Sequence, residues 1–170
     1  MKTYDSALKV CPYCGYVDGT MPESPLHLVG GSILNNRYDV GKVIGYGGFG
    51  VTYIGWDRVL EQRVAIKEYL PSDFSTRAPG VSQVSIYAGD KGEQFTAGLN
   101  KFVDEAKRLA QFTDCPGIVK VYDCFRENDT AYIVMEYLEG VTLAKYIKED
   151  RKSTRLNSSH SSQSRMPSSA

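Results

Sequence analysis

The feature that most constrains this chain is a segment with four glycines, GYGGFG at residues 45–50. It lies between two stretches rich in β-branched and aromatic residues, 38–44 and 51–54, which favour β-strands. The pattern therefore predicts a strand–turn–strand unit, whereas a dinucleotide-binding fingerprint would continue into a helix. Glycines let a backbone approach phosphates closely and direct N–H groups at them. A plain glycine-rich hairpin is the other interpretation of this segment alone.

A third predicted strand follows, with the sequence RVAIKE at residues 63–68. Side chains alternate between the two faces of a strand, so Val64 and Ile66 share one face and Ala65 and Lys67 share the other. A small alanine beside a lysine leaves a flat space for a nucleotide base and places a cation where phosphates could bind. The order of the two segments therefore favours a nucleotide site.

The glycine segment followed by V-A-I-K resembles the N-terminal lobe of eukaryotic-like, bacterial-type serine/threonine protein kinases. The resemblance covers about residues 37–149. It implies an α+β fold, a five-stranded antiparallel sheet plus the αC helix, with the C-terminal lobe almost entirely missing. The implied activity is phosphoryl transfer from ATP to protein serine or threonine, with Mg²⁺ as a cofactor. A non-catalytic, kinase-like binding or scaffold module is the alternative function.

The resemblance also assigns an ATP site. Its residues are Ile44, Gly45, Gly47, Phe49, Gly50, Thr52, Ala65, Lys67, Met135, Glu136 and Leu138. The glycines would cover the phosphates, Lys67 would hold the α- and β-phosphates, and Ala65 would line the adenine site. The backbone carbonyl of Glu136 and the amide of Leu138 would bind the adenine edge. Thr52 departs from the family's valine but keeps the β-branch.

A helix is predicted downstream, because one apolar stripe recurs at helical spacing. The stripe consists of Leu99, Phe102, Val103, Ala106, Leu109 and Ala110. By resemblance this is the αC helix, in which Glu105, rather than Asp104, pairs with Lys67. The implied catalytic residues are therefore Lys67 and Glu105. A surface carboxylate is the alternative role for Glu105.

Further strands are predicted at 117–125 and 130–136, joined by a turn at 126–129, and a further helix is predicted to start at 143–148. The segment at about 71–92 is longer than the family needs, so we expect a regulatory or docking role for it. Cys115 and Cys124 are expected to be ordinary reduced thiols.

Near the N-terminus, Cys11 and Cys14 form a CxxC pair followed by glycine. Two thiolates at this spacing can hold one side of a tetrahedral Zn²⁺, which normally needs four ligands. We interpret residues 1–17 as a partial, zinc-ribbon-like knuckle that would bind Zn²⁺ only if a second pair preceded Met1. The density of proline and glycine predicts a linker over 18–36, and the kinase lobe, hinge and start of the next helix over 37–150.

The 20 basic and 20 acidic residues balance, which argues against a general nucleic-acid binder. No signal peptide or membrane segment is apparent, so a cytoplasmic location is expected, with ATP and protein substrates as partners.

The last 20 residues, 151–170, contain eight serines and no acidic or aromatic residue. This composition predicts a disordered tail, and the sequence is typical of vector DNA translated in frame with the gene. The strings H-R-D and D-F-G do not occur, so the chain alone is expected to be inactive.

Overall fold

The computed structural model describes residues 10–11, 16–17, 19–112, 115–140 and 147. The chain divides into two units, residues 1–137 and 138–170, and the elements below belong to the first. They are β1 (Ile33–Leu34), β2 (Tyr38–Gly47), β3 (Gly50–Asp57), β4 (Gln62–Tyr69), β5 (Ser75–Arg77), β6 (Val84–Ile86), α1 (Asp90–Leu109), β7 (Val121–Glu127) and β8 (Thr130–Glu136).

Six of the strands form one antiparallel sheet in the order β1-β2-β3-β4-β8-β7. Directly opposed residues lie on the same face of such a sheet. The register therefore separates two faces near the centre. The inner face carries Thr52, Ala65, Lys67, Ile133 and Met135, and the outer face carries Tyr53, Ile66, Glu68, Tyr132 and Val134.

Helix α1 packs against the inner face. The ring of Tyr69, two residues beyond Lys67 on β4, lies 5.1 Å from the ring of Phe95 and 5.4 Å from that of Phe102. Phe95, Leu99, Phe102 and Ala106 are the buried residues of the helix. The predicted apolar stripe is thus confirmed at Leu99, Phe102 and Ala106, and it extends one turn further toward the N-terminus, to Phe95. Its predicted last member, Ala110, is exposed and caps the helix.

The outer face is covered by chain that precedes β2. Leu28 and Leu34 are buried in the same cluster as Tyr53 and Ile66, and the amide of Leu28 donates to the hydroxyl of Tyr53 at 3.1 Å. The structure therefore differs from the prediction of a linker over 18–36 in the second half of that segment. Its glycines and asparagines form tight turns that return the chain to the sheet, with Gly31, Asn35 and Asn36 at positive φ.

The long segment between β4 and α1 also folds against the sheet. Strands β5 and β6 form a separate two-stranded sheet, and the amide of Val84 donates to the carbonyl of Asn128 in the β7–β8 turn at 2.9 Å.

Antiparallel pairing with one long helix agrees with the predicted α+β architecture. The main sheet carries one more strand than predicted, because the two residues of β1 pair with the start of β2. The β7–β8 turn is tighter than predicted, with Asn128 and Asp129 both at positive φ, as a two-residue turn of type I′ requires. The predicted helix at 143–148 and the tail at 151–170 lie outside the described residues, apart from Ile147. In the described part of the chain, no helix is both long and apolar enough to cross a membrane.

Candidate nucleotide site

The glycine segment is the turn between β2 and β3. Gly47 pairs with Gly50, so the turn consists of Gly48 and Phe49. The side chains of Tyr46 and Phe49 are 80% and 78% exposed. Large aromatic rings left in solvent at a hairpin tip contribute nothing to the core, which is consistent with a surface that a ligand covers.

The glycines of this segment have two different environments. A Cβ atom at Gly45, Gly47 or Gly48 would meet no atom within 4 Å. A Cβ atom at Gly50 would overlap the carbonyl oxygen of Glu68. Gly50 is therefore needed for close packing of the hairpin on β4, whereas the other three leave open space over the turn. That space is what phosphates would need to approach the backbone N–H groups.

Lys67 lies on the inner face, two residues before Tyr69, which pairs with Gly50 at the end of the turn. It is opposed by Thr52 on β3 and by Ile133 on β8. In the next row of the same face, Ala65 is opposed by Met135. The register thus brings Thr52, Ala65, Lys67 and Met135, four of the residues assigned to ATP, onto one surface with a cation at one end. Ile44, on β2, is 44% exposed.

The Lys67 ammonium lies 5.6 Å from the centre of the Phe102 ring, within the range of a cation–π contact. Glu105 lies three residues further along α1, and its side chain is exposed. No ion pair links Lys67 to Glu105 or to any other acidic residue in the described part of the chain. Asp104 lies 3.7 Å from Lys107 on the helix surface. The structure therefore does not bring the two predicted catalytic residues into contact, and their pairing stays a prediction.

The two hinge residues assigned to the adenine edge, Glu136 and Leu138, belong to different units. The amide of Glu136 donates to the carbonyl of Lys120 at 2.9 Å. Its carbonyl is the group that the resemblance assigns to adenine. Leu138 belongs to the second unit, and its side chain is 68% exposed.

The described residues contain no group of three or more His, Cys, Asp or Glu side chains that could hold a metal ion. Cys11 is a free, half-buried thiol, and Cys14 lies outside the described residues. Cys115 and Cys124 are also free, and burial raises the pKa of the Cys124 thiol, so it stays protonated at neutral pH.

Sequence reasoning missed a group of residues directly behind the site. The carboxylate of Glu68, next to Lys67, is fully buried and bonded to Arg77, Tyr53 and Tyr132. Burial and the neighbouring Glu68 carboxylate both raise the pKa of the two tyrosines, which stay protonated donors. The one signal available was that Glu68 continues the apolar face of Val64 and Ile66, where a buried acid normally needs a partner.

Residues 38–163 match the protein kinase domain family. The chain is 38% identical over 120 residues to serine/threonine-protein kinase PrkC of Bacillus subtilis, covering 69% of this chain and 15% of PrkC. It is 30% identical over 138 residues to serine/threonine-protein kinase PknG of Mycolicibacterium smegmatis, covering 78% of this chain and 15% of PknG.

Among solved structures, the one titled "PpkA-294 apo form" superposes with a TM-score of 0.69 at 34% identity, covering 75% of this chain and 44% of that one. The chain therefore spans less than a fifth of the length of these curated relatives and less than half of that solved chain. The match covers the glycine turn, the lysine strand and the helix α1 together. We conclude that this chain belongs to the protein kinase family, among the bacterial-type serine/threonine kinases.

Proposed function

We propose that residues 37–150 form the ATP-binding lobe of an ATP-dependent protein serine/threonine kinase. The observation that carries the proposal is the register of β3, β4 and β8. It aligns Thr52 with Lys67 and Ala65 with Met135 on the inner face, next to a glycine turn that has open space over three of its glycines. A glycine-rich hairpin without a ligand would have no need for this combination.

In the proposed complex, the backbone of Gly45, Gly47 and Gly50 lies over the phosphates, and Phe49 closes the tip of the turn. Lys67 neutralises charge on the α- and β-phosphates, as a strand lysine does in protein kinases. A second set of residues surrounds the base. Ile44, Thr52, Ala65 and Met135 contact adenine, and the backbone of Glu136 and Leu138 binds its edge.

Glu105 completes the site in this proposal by pairing with Lys67 when nucleotide binds. The lysine now rests on the Phe102 ring, one helical turn before Glu105. A cation–π contact of this kind contributes about 0.5–1 kcal/mol at an exposed site, so phosphates can displace it at small cost. Lys67 can then move toward the phosphates and Glu105 together.

Phosphoryl transfer needs more than this lobe. Mg²⁺ neutralises the phosphates, and the segments H-R-D and D-F-G supply the acceptor-orienting and metal-binding residues of a protein kinase. Neither string occurs in the 170 residues. We therefore expect this chain alone to bind ATP weakly and to transfer no phosphate to a protein.

Covalent labelling tests the proposal on the chain itself, since it accumulates even when binding is weak. An acyl phosphate of ATP places a mixed anhydride beside the bound phosphates. The Lys67 amine attacks its carbonyl carbon, and an amide bond forms as the C–O bond to the phosphate breaks. ATP leaves with that oxygen and the electron pair of the broken bond, and the proton lost by the amine goes to solvent. Peptide mass spectrometry should find Lys67 labelled at least about tenfold faster than exposed Lys101, because binding holds the reacting atoms together.

Excess Mg·ATP should suppress labelling of Lys67 and leave Lys101 unaffected. Equal labelling of the two lysines, without protection by ATP, would contradict the proposed nucleotide site. That result would favour the alternative function, a kinase-like module that binds a partner without catalysis.

The cysteine pair supports a second, separate proposal. We infer that Cys11 and Cys14 are one half of a zinc knuckle, because a CxxC pair supplies two of the four ligands of a structural zinc site. Metal analysis of the purified chain should find little tightly bound zinc. One equivalent of zinc that survives dialysis against a chelator would contradict the half-site.

A further inference from the structure

The region behind the nucleotide site contains a buried ion pair. The side chains of Glu68, on β4, and Arg77, on β5, are both fully buried. Two nitrogens of the Arg77 guanidinium donate to the two oxygens of the Glu68 carboxylate. The hydroxyls of Tyr53 and Tyr132 each donate to the same carboxylate at 2.8 Å. The carboxylate therefore accepts four hydrogen bonds and has no remaining need for solvent.

Arg77 joins this carboxylate to two further segments. Its guanidinium donates to the carbonyl of Leu26 at 2.7 Å and to the carbonyl of Ser82 at 3.0 Å. One side chain thus connects β4, the chain that precedes β2, and the loop between β5 and β6. Burial lowers the pKa of Arg77, but the neighbouring Glu68 carboxylate outweighs burial and raises it, so the guanidinium stays charged.

The pair is directly connected to the nucleotide site through the backbone of β4. Glu68 follows Lys67, and its carbonyl oxygen is the atom that leaves no room for a side chain at Gly50. Two residues on, the amide of Leu70 donates to the carbonyl of Phe49 in the glycine turn at 3.3 Å. A displacement of β4 at Glu68 would therefore move both the lysine and the turn.

We propose that Arg77 is a positioning residue of the nucleotide site, which acts through Glu68 to hold β4 in the register that pairs Lys67 with Thr52, beside the glycine turn. This inference rests on the proposed function. A buried ion pair adds little net stability over an apolar pair of the same volume, but any other arrangement leaves a charge unpaired. The hydrogen-bond network around Glu68 therefore fixes the position of β4. Because Arg77 lies between β4 and α1, that segment is part of the nucleotide-binding lobe.

The experiment combines denaturant unfolding with labelling of Lys67 by the ATP acyl phosphate, using Lys101 in the same chain as the reference. Arg77→Met should lower the ratio of Lys67 to Lys101 labelling by at least about tenfold, because small misplacements of reacting groups are costly. That variant leaves a buried carboxylate unpaired and could fail to fold. The second variant, Glu68→Gln with Arg77→Met, removes both charges and keeps an amide that can bond Tyr53 and Tyr132.

The double variant should recover most of the unfolding free energy while its labelling ratio stays about tenfold below that of the unmodified chain. Arg58→Met is the matched control, since Arg58 makes a similar two-pronged pair with Asp39, but at the surface. It should leave both readouts unchanged.

A folded double variant that labels Lys67 at the ratio of the unmodified chain would overturn the positioning role. An equal loss of labelling in Arg58→Met would overturn it as well. If the unmodified chain shows no ATP-protected preference for Lys67, the proposed function fails first, and the positioning role fails with it. The behaviour of the unmodified chain therefore distinguishes the two failures.

Discussion

Lys67 and Glu68 are consecutive residues of β4, yet they lie on opposite faces of the sheet in opposite states. Lys67 is half-buried and rests on the ring of Phe102, without an ion pair to any acidic residue in the described ranges. Glu68 is fully buried and accepts four hydrogen bonds. The two charged side chains therefore have different surroundings, although they are neighbours on the same strand.

This difference separates binding from folding within one strand. The buried Glu68 carboxylate already has all its hydrogen bonds within the protein, so it could bind a ligand only by losing some of them. The outer face is therefore suited to stabilising the fold of the lobe. An incompletely paired charge beside open space can bind phosphate at little cost, so the inner face is suited to the nucleotide. Substitutions on the two faces should therefore have different effects, on stability for one and on nucleotide binding for the other.

The largest expected effect belongs to the outer face. Glu68→Ala leaves the Arg77 guanidinium buried without its partner, and breaking such a pair costs about 3–5 kcal/mol of unfolding free energy. Denaturant unfolding monitored by circular dichroism measures the loss. Asp39→Ala removes the acid of the exposed pair with Arg58 and should cost at most about 1 kcal/mol. Equal losses would remove the distinction between the two pairs.

The glycine turn should show a second, smaller contrast. Gly50→Ala places a Cβ against the carbonyl of Glu68 at a φ of 152°, and we expect a loss of about 1–3 kcal/mol from the forced shift. Gly47→Ala meets open space and should stay within about 1 kcal/mol of the unmodified chain. The same variant should slow ATP-directed labelling of Lys67, because its methyl group occupies the space proposed for phosphate. A destabilised Gly47→Ala chain with normal labelling would contradict this assignment.

Acid should weaken the outer face through His27. Its ring is buried, the Nδ1 atom has no hydrogen-bond partner among the described residues, and the ring centre lies 6.1 Å from that of Tyr46. Burial lowers the pKa of His27 below its ordinary value of 6.5, Glu23 and Glu68 partly oppose this, and Arg77 adds to it. The folded state therefore binds its proton at lower pH than the unfolded state.

The contribution of His27 to the unfolding free energy is full at a pH above the pKa that His27 has in the unfolded chain. It declines as the pH falls below 6.5, until His27 is protonated in the folded state as well. The decline is at most about 1.4 kcal/mol per pH unit for one proton. Unfolding free energies of the unmodified chain and of His27→Gln, measured at about pH 7.5 and about pH 5.5, should show a steeper loss for the unmodified chain. Parallel losses would show that the His27 proton is not linked to folding.

The smallest effect on stability is expected on the inner face. Lys67→Met keeps the apolar stem and gives up only a cation–π contact, so unfolding free energy should change by no more than about 1 kcal/mol. Stabilisation by Mg·ATP in a thermal unfolding assay should nevertheless disappear. A loss of stability as large as that of Glu68→Ala would mean that Lys67 is also a structural residue.

The inner face could be predicted from the sequence because its information is local. The alternation of V-A-I-K fixes which residues accompany Lys67, the spacing of the apolar stripe fixes which side of α1 faces the sheet, and the glycines fix the turn. The pairing of Lys67 with Glu105 cannot be derived from a local sequence pattern, because it depends on where helix α1 lies relative to the sheet.

The outer face could not be predicted, because its contacts join segments that have no pattern of their own. Arg77 occurs among prolines and glycines, and nothing in its surroundings indicates that it will be buried against Glu68. Leu28 and Leu34 belong to short apolar clusters in a segment whose prolines and glycines are typical of a linker. Only the tertiary structure shows that they cover Tyr53 and Ile66.

The most direct test of the central claim is an NMR titration of the ¹⁵N-labelled chain with Mg·ATP. We predict that amide shifts are confined to the glycine turn 45–50, to inner-face residues such as Ala65, Lys67 and Met135, and to the two positions that the proposal brings to the nucleotide. Those two positions are the hinge amide of Leu138 and the helix around Glu105. The amides of Arg77 and of the segment 26–34 should stay unperturbed. Shifts that are centred on Arg77 and this segment, or no shifts at millimolar ATP, would contradict the division of the sheet into a binding face and a folding face.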